Sequence, residues 1–380
     1  MTASDLEKLR AEIATISPQD AKDGPGLLVD VREREEHAAG ICAGAIELPR
    51  GFLELDAPAK LPDKSAPIVC YCQTGIRSLY AAETLQRLGY ENVSSMDGGY
   101  EAWTHLGYPV TGIDDAFEPE ELRRYARHLI VPEVGLEGQK RLKEARVLLV
   151  GAGGLGSPSA LYLAAAGVGT IGVIDPDVVD ESNLQRQVLH ATSRIGTPKV
   201  ESARATIHEI NPHVEVITYE ERLDADNADR IIPEYDVILD GADNFPTRYL
   251  VNDACVKHGK PNVHGSVFRF EGQVSVFQRG RGPCYRCLYP EPPPPGTVPS
   301  CAEVGVLGVL PGVVGLLQAV EAVKLILGQG DPLHGRLLVY DALAANFREL
   351  KVRANPKCAY CAPGRAFPGY VDYQGFCGLG

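Results

Sequence analysis

Residues 146–156, RVLLVGAGGLG, run a strand-forming segment straight into a glycine loop, and SPSALYLAAAG continues as a helix closed by a glycine. Strand, glycine loop and helix in that order commit this part of the chain to a parallel sheet. The glycines let backbone approach a ligand closely at the helix start. TIGVID supplies the next strand, ending on Asp175, and EYDVILDGAD a further one over 236–240. The pattern is that of a Rossmann-like sheet. VFRFEGQVSVF and GRLLVYDALAANFRELKV alternate as antiparallel strands, and PGVVGLLQAVEAVKLILG reads as a largely buried helix between them. Glu291 to Gly296, EPPPPG, fits neither helix nor inner strand and reads as an exposed crossover.

A second α/β unit precedes this one. LLVDV (27–31) and IVCY (68–71) are short buried-strand runs, and SLYAAETLQRL (78–88) is helical up to Gly89. The polar, turn-rich TGIDDAFEPEE that follows reads as a linker. The expected organisation is a small α/β domain over 1–112, a linker over 113–121 and a Rossmann-like domain with added antiparallel strands over 122–380. The length of 380 residues agrees, since ~150 residues per domain gives two or three.

Composition narrows the function. The formal net charge is −13, with 10 basic and 17 acidic groups in residues 1–112, so a nucleic-acid-binding surface is not expected. No run of ~18 apolar residues appears, so no membrane span is expected, and the charged N-terminus has no signal-peptide core. The expectation is a cytosolic protein. There, ten cysteines argue for metal binding or thiol chemistry rather than disulfides.

Cys72-Gln73-Thr74-Gly75-Ile76-Arg77-Ser78 lies between a buried strand and a helix. Converging loop N–H groups and the helix N-terminus favour a thiolate at Cys72, and the Arg77 guanidinium fork suits an anionic substrate. With Asp30-Val31-Arg32 after the first strand and Gly98-Gly99-Tyr100-Glu101-Ala102-Trp103 near its end, this half resembles a rhodanese domain. The related phosphatases use a larger C-x5-R cradle; the C-x4-R loop here fits a single transferred sulfur. Gly40-Ile41-Cys42-Ala43-Gly44-Ala45 departs from the family's usual Gly-His-Ile-Pro-Gly-Ala. Cys70 reads as core.

In the second half, Gly151, Gly153, Gly154 and Gly156 with Asp175 make a nucleotide fingerprint that alone would suggest NAD. Ser182-Asn183-Leu184-Gln185-Arg186-Gln187, Lys199 and Asp243-Asn244 at the end of the 236–240 strand fit a triphosphate with Mg²⁺ better. A nicotinamide oxidoreductase would leave Arg186 and Lys199 unexplained, and a non-catalytic scaffold would leave all of these residues unexplained together. From about residue 118 to 378 the chain resembles the adenylyltransferases that activate ubiquitin-like sulfur carriers, relatives of the ubiquitin-activating enzymes. The resemblance implies that Gly154, Asp175, the run Ser182 to Arg186, Lys199, Asp243 and Asn244 bind ATP. Arg186 and Lys199 would act on the phosphates and Asp243 would hold Mg²⁺. Arg124-Tyr125-Ala126-Arg127 matches a family motif in which the second arginine, here Arg127, serves the partner's ATP site in a homodimer.

Cys284-x-x-Cys287 and Cys358-x-x-Cys361 offer four thiolates, a closed set that suits structural Zn²⁺. Cys301, after the proline stretch, matches the family's reactive cysteine. Cys255 reads as helix core, and Cys377 has no derivable role. Together the two resemblances imply an enzyme that adenylates the terminal glycine of a carrier ending in Gly-Gly and delivers sulfur to it from Cys72 as a thiocarboxylate. The sulfur donor would be a cysteine desulfurase or thiosulfate. The second half most resembles the molybdopterin branch; thiamin, cysteine, tRNA thiolation or a specialised metabolite would use the same chemistry.

Overall fold

The computed structural model describes residues 3–37, 39–113, 116–294 and 305–378. The chain forms two compact units, Met1–Leu136 and Glu137–Gly380. Both are α/β.

In the first unit the strands are β1 (Ala14–Ile16), β2 (Leu27–Asp30), β3 (Ala39–Cys42), β4 (Ile46–Glu47), β5 (Pro67–Tyr71), β6 (Asn92–Met96) and β7 (Val110–Ile113). Five of them make a parallel sheet in the order β1-β6-β5-β2-β4, and β3 pairs antiparallel with β7. The period-2 alternation of β5 decides what faces where. Ile68, Cys70 and Cys72 enter one core cluster with Val29, Leu79 and Leu85, whereas Val69 and Tyr71 enter another with Trp103. Past β5 the chain turns at Gly75, φ 89°, into the Ile76–Arg87 helix.

The linker expectation needs correction at both ends. Residues 111 and 113 pair with β3, and Glu118 opens the Pro119–Leu129 helix through a reciprocal capping box with Glu121. Residue 122 therefore lies inside a helix, which packs on the Arg34–His37 helix of the first unit.

The second unit holds β8 (Arg146–Val150), β9 (Thr170–Ile174), β10 (Glu215–Tyr219), β11 (Val237–Asp240), β12 (Asn262–Phe268), β13 (Glu271–Phe277), β14 (Arg336–Asp341) and β15 (Asn346–Lys351). The sheet order is β10-β9-β8-β11-β12-β13-β14-β15, parallel as far as β12 and antiparallel beyond. Between β8 and β11 the order reverses, which leaves a crevice at their C-terminal ends. Gly156 opens the Gly156–Ala166 helix against the loop; a Cβ there would stand 2.0 Å from the Gly151 carbonyl oxygen, so only glycine fits.

The apolar Val309–Leu327 helix covers the sheet, packing on the Gly156–Ala166 helix and on β12 and β13. With a mean hydropathy of 1.7 it is long and apolar enough to cross a membrane, which a search for unbroken apolar runs misses because Gln318, Glu321 and Lys324 interrupt it. Those interruptions are tied into the unit. Gln318 Nε2 donates to the carbonyls of Asp240 and Val263, both at 2.9 Å, and Glu321 accepts from the Leu333 N–H at 2.8 Å.

Candidate active sites and metal centre

Cys72 is the first residue past β5 and is 1% exposed. Its carbonyl accepts from the Tyr100 N–H at 2.8 Å, and the Ser78 hydroxyl, itself accepting from Ser95 at 2.8 Å, lies 3.6 Å from its sulfur. Gly99 lets the following segment close over the loop, since a Cβ would stand 2.2 Å from the Cys72 carbonyl oxygen. Asp30 and Arg32 form a buried pair at 2.6 Å, with Arg32 stacked over Tyr100 at 3.8 Å. The Asp30 carboxyl is held down to about 2: burial opposes this, but its hydrogen bonds from His37 and Arg32 outweigh it. Arg32 thus backs Tyr100, the residue whose N–H holds the Cys72 carbonyl. Burial pushes the Cys42 and Cys70 thiols up to about 12, consistent with core packing rather than nucleophilic use.

Arg77, expected to face an anionic substrate, meets Glu36 instead. Its Nη1 and Nη2 donate to the two carboxylate oxygens at 2.6 and 2.7 Å.

In the second unit a cavity of about 250 Å³ opens at the crevice beside the glycine loop. It is lined by Gly151, Gly153, Gly154, Asp175, Asn183, Arg186, Lys199, Asp243 and Asn244, each expected from the sequence. Ser182, Leu184 and Gln185 do not line it; the Ser182 N–H and hydroxyl are turned to Asp180. Gly156 shapes the loop without lining the cavity. Arg127 is exposed on the Pro119–Leu129 helix of the first unit.

Hydrogen bonds fix the liners. Asp175 is 6% exposed and accepts from the Ala152 and Asp177 N–H groups at 2.8 and 2.9 Å. Burial raises its carboxyl above the usual range, and Lys199 opposes that rise. Lys199 is 5% exposed, and its Nζ donates to Asp177 at 2.8 Å. Asn183 Oδ1 accepts from both Arg186 Nη2 and Gln187 Nε2, at 3.1 and 3.0 Å. Gln187 also lines the cavity, and its buried Oε1 has no partner among the described residues, so the site holds an unused acceptor. Asn244 caps the Phe245–His258 helix through the Thr247 N–H at 3.0 Å and turns its amide to the exposed Asp243.

Asp177, Arg222 and Arg248 are liners that sequence reasoning missed, whereas Gln187 ends the polar run it picked out. His190, just behind them, braces the loop: its ring joins the Ala152 carbonyl and the Ser202 hydroxyl, both at 3.0 Å. Burial pushes its pKa down to about 4.

Cys284, Cys287, Cys358 and Cys361 bring their sulfurs within 4.8 Å of one another. Neighbouring pairs stand at 3.9, 3.7 and 3.4 Å. Four sulfurs at about 2.3 Å from a tetrahedral Zn²⁺ would be spaced by about 3.8 Å. The set fits zinc, and the Asn355 N–H reaches the Cys287 sulfur at 3.3 Å as an outer support. Cys255 and Cys377 are buried in the neighbouring core. Cys301 lies outside the described residues.

The ThiF family matches residues 125–360, well over half of the chain. The chain belongs to the ThiF family. Residues 8–106 of this ThiF-family chain match the rhodanese-like domain. A sulfur carrier protein adenylyltransferase of Thermus thermophilus is 56% identical over 265 residues, covering 68% of the chain and 98% of that protein. A probable adenylyltransferase/sulfurtransferase MoeZ of Mycobacterium tuberculosis is 55% identical over 275 residues, covering 71% and 69%. The SAMP-activating enzyme E1 of Haloferax volcanii is 53% identical over 249 residues, covering 66% and 92%. Among solved structures, E. coli MccB with MccA-N7isoASN superposes with a TM-score of 0.57 at 23% identity, over 63% of this chain and 74% of that one, which shows the shared fold. This ThiF-family member is thus an enzyme, an adenylyltransferase joined to a rhodanese-type sulfurtransferase domain.

Proposed function

We propose that the chain adenylates the C-terminal glycine of a ubiquitin-like sulfur carrier ending in Gly-Gly and then places sulfur on it as a thiocarboxylate. The observation that carries this is the presence, in one chain, of a cysteine–arginine sulfur loop and of a nucleotide cavity equipped for phosphate chemistry. The relatives' names, which pair adenylyltransferase with sulfurtransferase or sulfur carrier protein, support it.

In the first step a carrier carboxylate oxygen attacks the α-phosphorus of ATP, and pyrophosphate leaves. Negative charge builds on the phosphate oxygens, and Arg186 and Lys199 are the cations positioned to meet it. Asp175 offers acceptors to the ribose. Asp243 is exposed at the cavity and has an oxygen donor set suited to a hard cation, so it would hold Mg²⁺, which neutralises phosphate charge when bound.

In the second step Cys72, loaded by a donor, presents a persulfide. Its terminal sulfur attacks the acyl-adenylate carbonyl, AMP leaves, and an acyl disulfide forms. A thiol then cleaves the S–S bond, leaving the thiocarboxylate on the carrier and a disulfide on the enzyme that a cellular thiol reduces. We assign the thiol that cleaves the S–S bond to Cys301. Arg127 serves the ATP site of a second subunit in a cytoplasmic homodimer, and the product feeds molybdopterin synthesis.

Mass spectrometry of the carrier after incubation with ATP and a persulfide donor tests the reading. Wild-type enzyme should give the mass gain of oxygen replaced by sulfur, and Cys72→Ala should not. Thiocarboxylate formed by Cys72→Ala at the wild-type rate would remove the first unit from the reaction.

A further inference from the structure

Arg77 stands five residues after Cys72, in the first turn of the Ile76–Arg87 helix, and its charge interacts with Cys72. Its two terminal nitrogens, however, grip both oxygens of Glu36 at 2.6 and 2.7 Å, a parallel fork that is the strongest form of this pair. The carboxylate does not reach across as a loose surface contact. Glu36 is 27% exposed, and the Glu33 N–H donates to its Oε2 at 3.1 Å, which holds the acceptor in place. Burial works against its charge, but the bonds from Arg77 and Glu33 keep the carboxyl below its ordinary range. Arg32 offers no substitute cation, because it is buried in its own fork with Asp30. Gln73, within the loop, donates to a second carboxylate, Glu101, at 3.2 Å. Both arginines of this region are therefore already paired with carboxylates, and so is the Gln73 amide.

We propose that Glu36 is a specificity-determining residue of the sulfur site, closing Arg77 against small free oxyanion donors such as thiosulfate. This rests on the reading of Cys72 as the sulfur-accepting thiol. With thiosulfate, the Cys72 thiolate attacks the sulfane sulfur, the S–S bond breaks, and sulfite leaves with the electron pair, giving the Cys72 persulfide. Both the incoming and the leaving species are dianions that need Arg77. While Glu36 occupies the fork, each must displace a carboxylate and then sit beside its freed charge. A persulfide borne on a thiol asks less of Arg77, because its leaving group is a single thiolate that a proton can neutralise.

The test uses the full chain and thiosulfate:cyanide sulfurtransferase kinetics. Glu36→Gln should lower the thiosulfate KM by about tenfold or more while leaving kcat within a few fold. Glu36→Ala should move KM in the same direction. An unchanged or raised KM in both variants overturns the proposal, and so does a fall in kcat and thermal stability alone, which is what a merely structural Glu36 would give. Calorimetric binding of thiosulfate to Cys72→Ala and to Cys72→Ala/Glu36→Gln separates this from the parent reading. Tighter binding by the double variant supports the gate without turnover, and equal binding rejects it. Full sulfurtransferase activity in Cys72→Ala would instead sink the role of Cys72.

Discussion

Arg286, set between the metal-type cysteines Cys284 and Cys287, donates two hydrogen bonds to the buried carboxylate of Asp253, both at 2.7 Å. Tyr373 of the C-terminal segment donates to the same carboxylate at 2.8 Å, and the guanidinium lies over Tyr249, Tyr360 and Phe376. One carboxylate thus ties the first cysteine pair, the Phe245–His258 helix and the chain's tail together. Asp253→Asn would leave a buried guanidinium without its counter-charge, and breaking such a pair costs about 3–5 kcal/mol. Denaturant unfolding should register that loss; a change under about 0.5 kcal/mol, the range of a neutral surface substitution, would show that the pair is not holding the region.

The four-cysteine set should carry one Zn²⁺ per chain. Because it joins the Cys284 turn to the 358–361 turn far along the sequence, the metal acts on stability more than on the reaction. Cys358→Ser should lower the unfolding temperature strongly and, in the protein that remains folded, leave adenylation much less affected. Elemental analysis of wild-type protein finding no stoichiometric metal would reject the assignment.

Lys199 touches Asp177 twice, through its N–H to the carbonyl at 2.9 Å and through Nζ to the carboxylate at 2.8 Å. Asp177 is largely exposed, so losing its partner costs the fold little. The cation matters to the reaction instead. Lys199→Met should reduce carrier adenylation by on the order of 10²-fold, the scale of one lost transition-state donor. Its unfolding midpoint should stay near wild type, and adenylation at the wild-type rate would remove Lys199 from the site.

His190 gives a pH signature. Its folded pKa of about 4 lies below the ordinary 6.5, so the unfolded chain binds a proton that the folded one refuses. Its contribution to stability is present above pH 6.5 and is lost as pH falls toward 4. His190→Gln should flatten the decline in stability across that window. An identical slope in wild type and variant would mean that the ring does not titrate there.

What the sequence made legible was whatever is written locally. The strand–loop–helix run into Gly156, Asp175 at a strand end, and the two C-x-x-C pairs each carry their chemistry within a few residues. The helix cap at Asn244 was also there to be read, in an asparagine followed by Phe245-Pro246-Thr247. Contacts between distant segments left no such mark. Glu36 reaches Arg77 across 41 positions, and Asp253 reaches Arg286 across 33. Arg222, after β10, and Arg248, after β11, both line the cavity because the parallel strands end on the same edge of the sheet. The linker's first edge is hidden because β7 is only four residues long, with Gly112 inside it, and forms by pairing with the distant β3.

Carrier-dependent exchange of labelled pyrophosphate into ATP, measured with purified Gly-Gly-terminated ubiquitin-like proteins as acceptors, tests adenylation most directly. Exchange should occur only when such a carrier is present, persist in Cys72→Ala and be abolished in Asp243→Ala. Absence of exchange with every such carrier, or exchange indifferent to Asp243→Ala, would contradict the proposed adenylation.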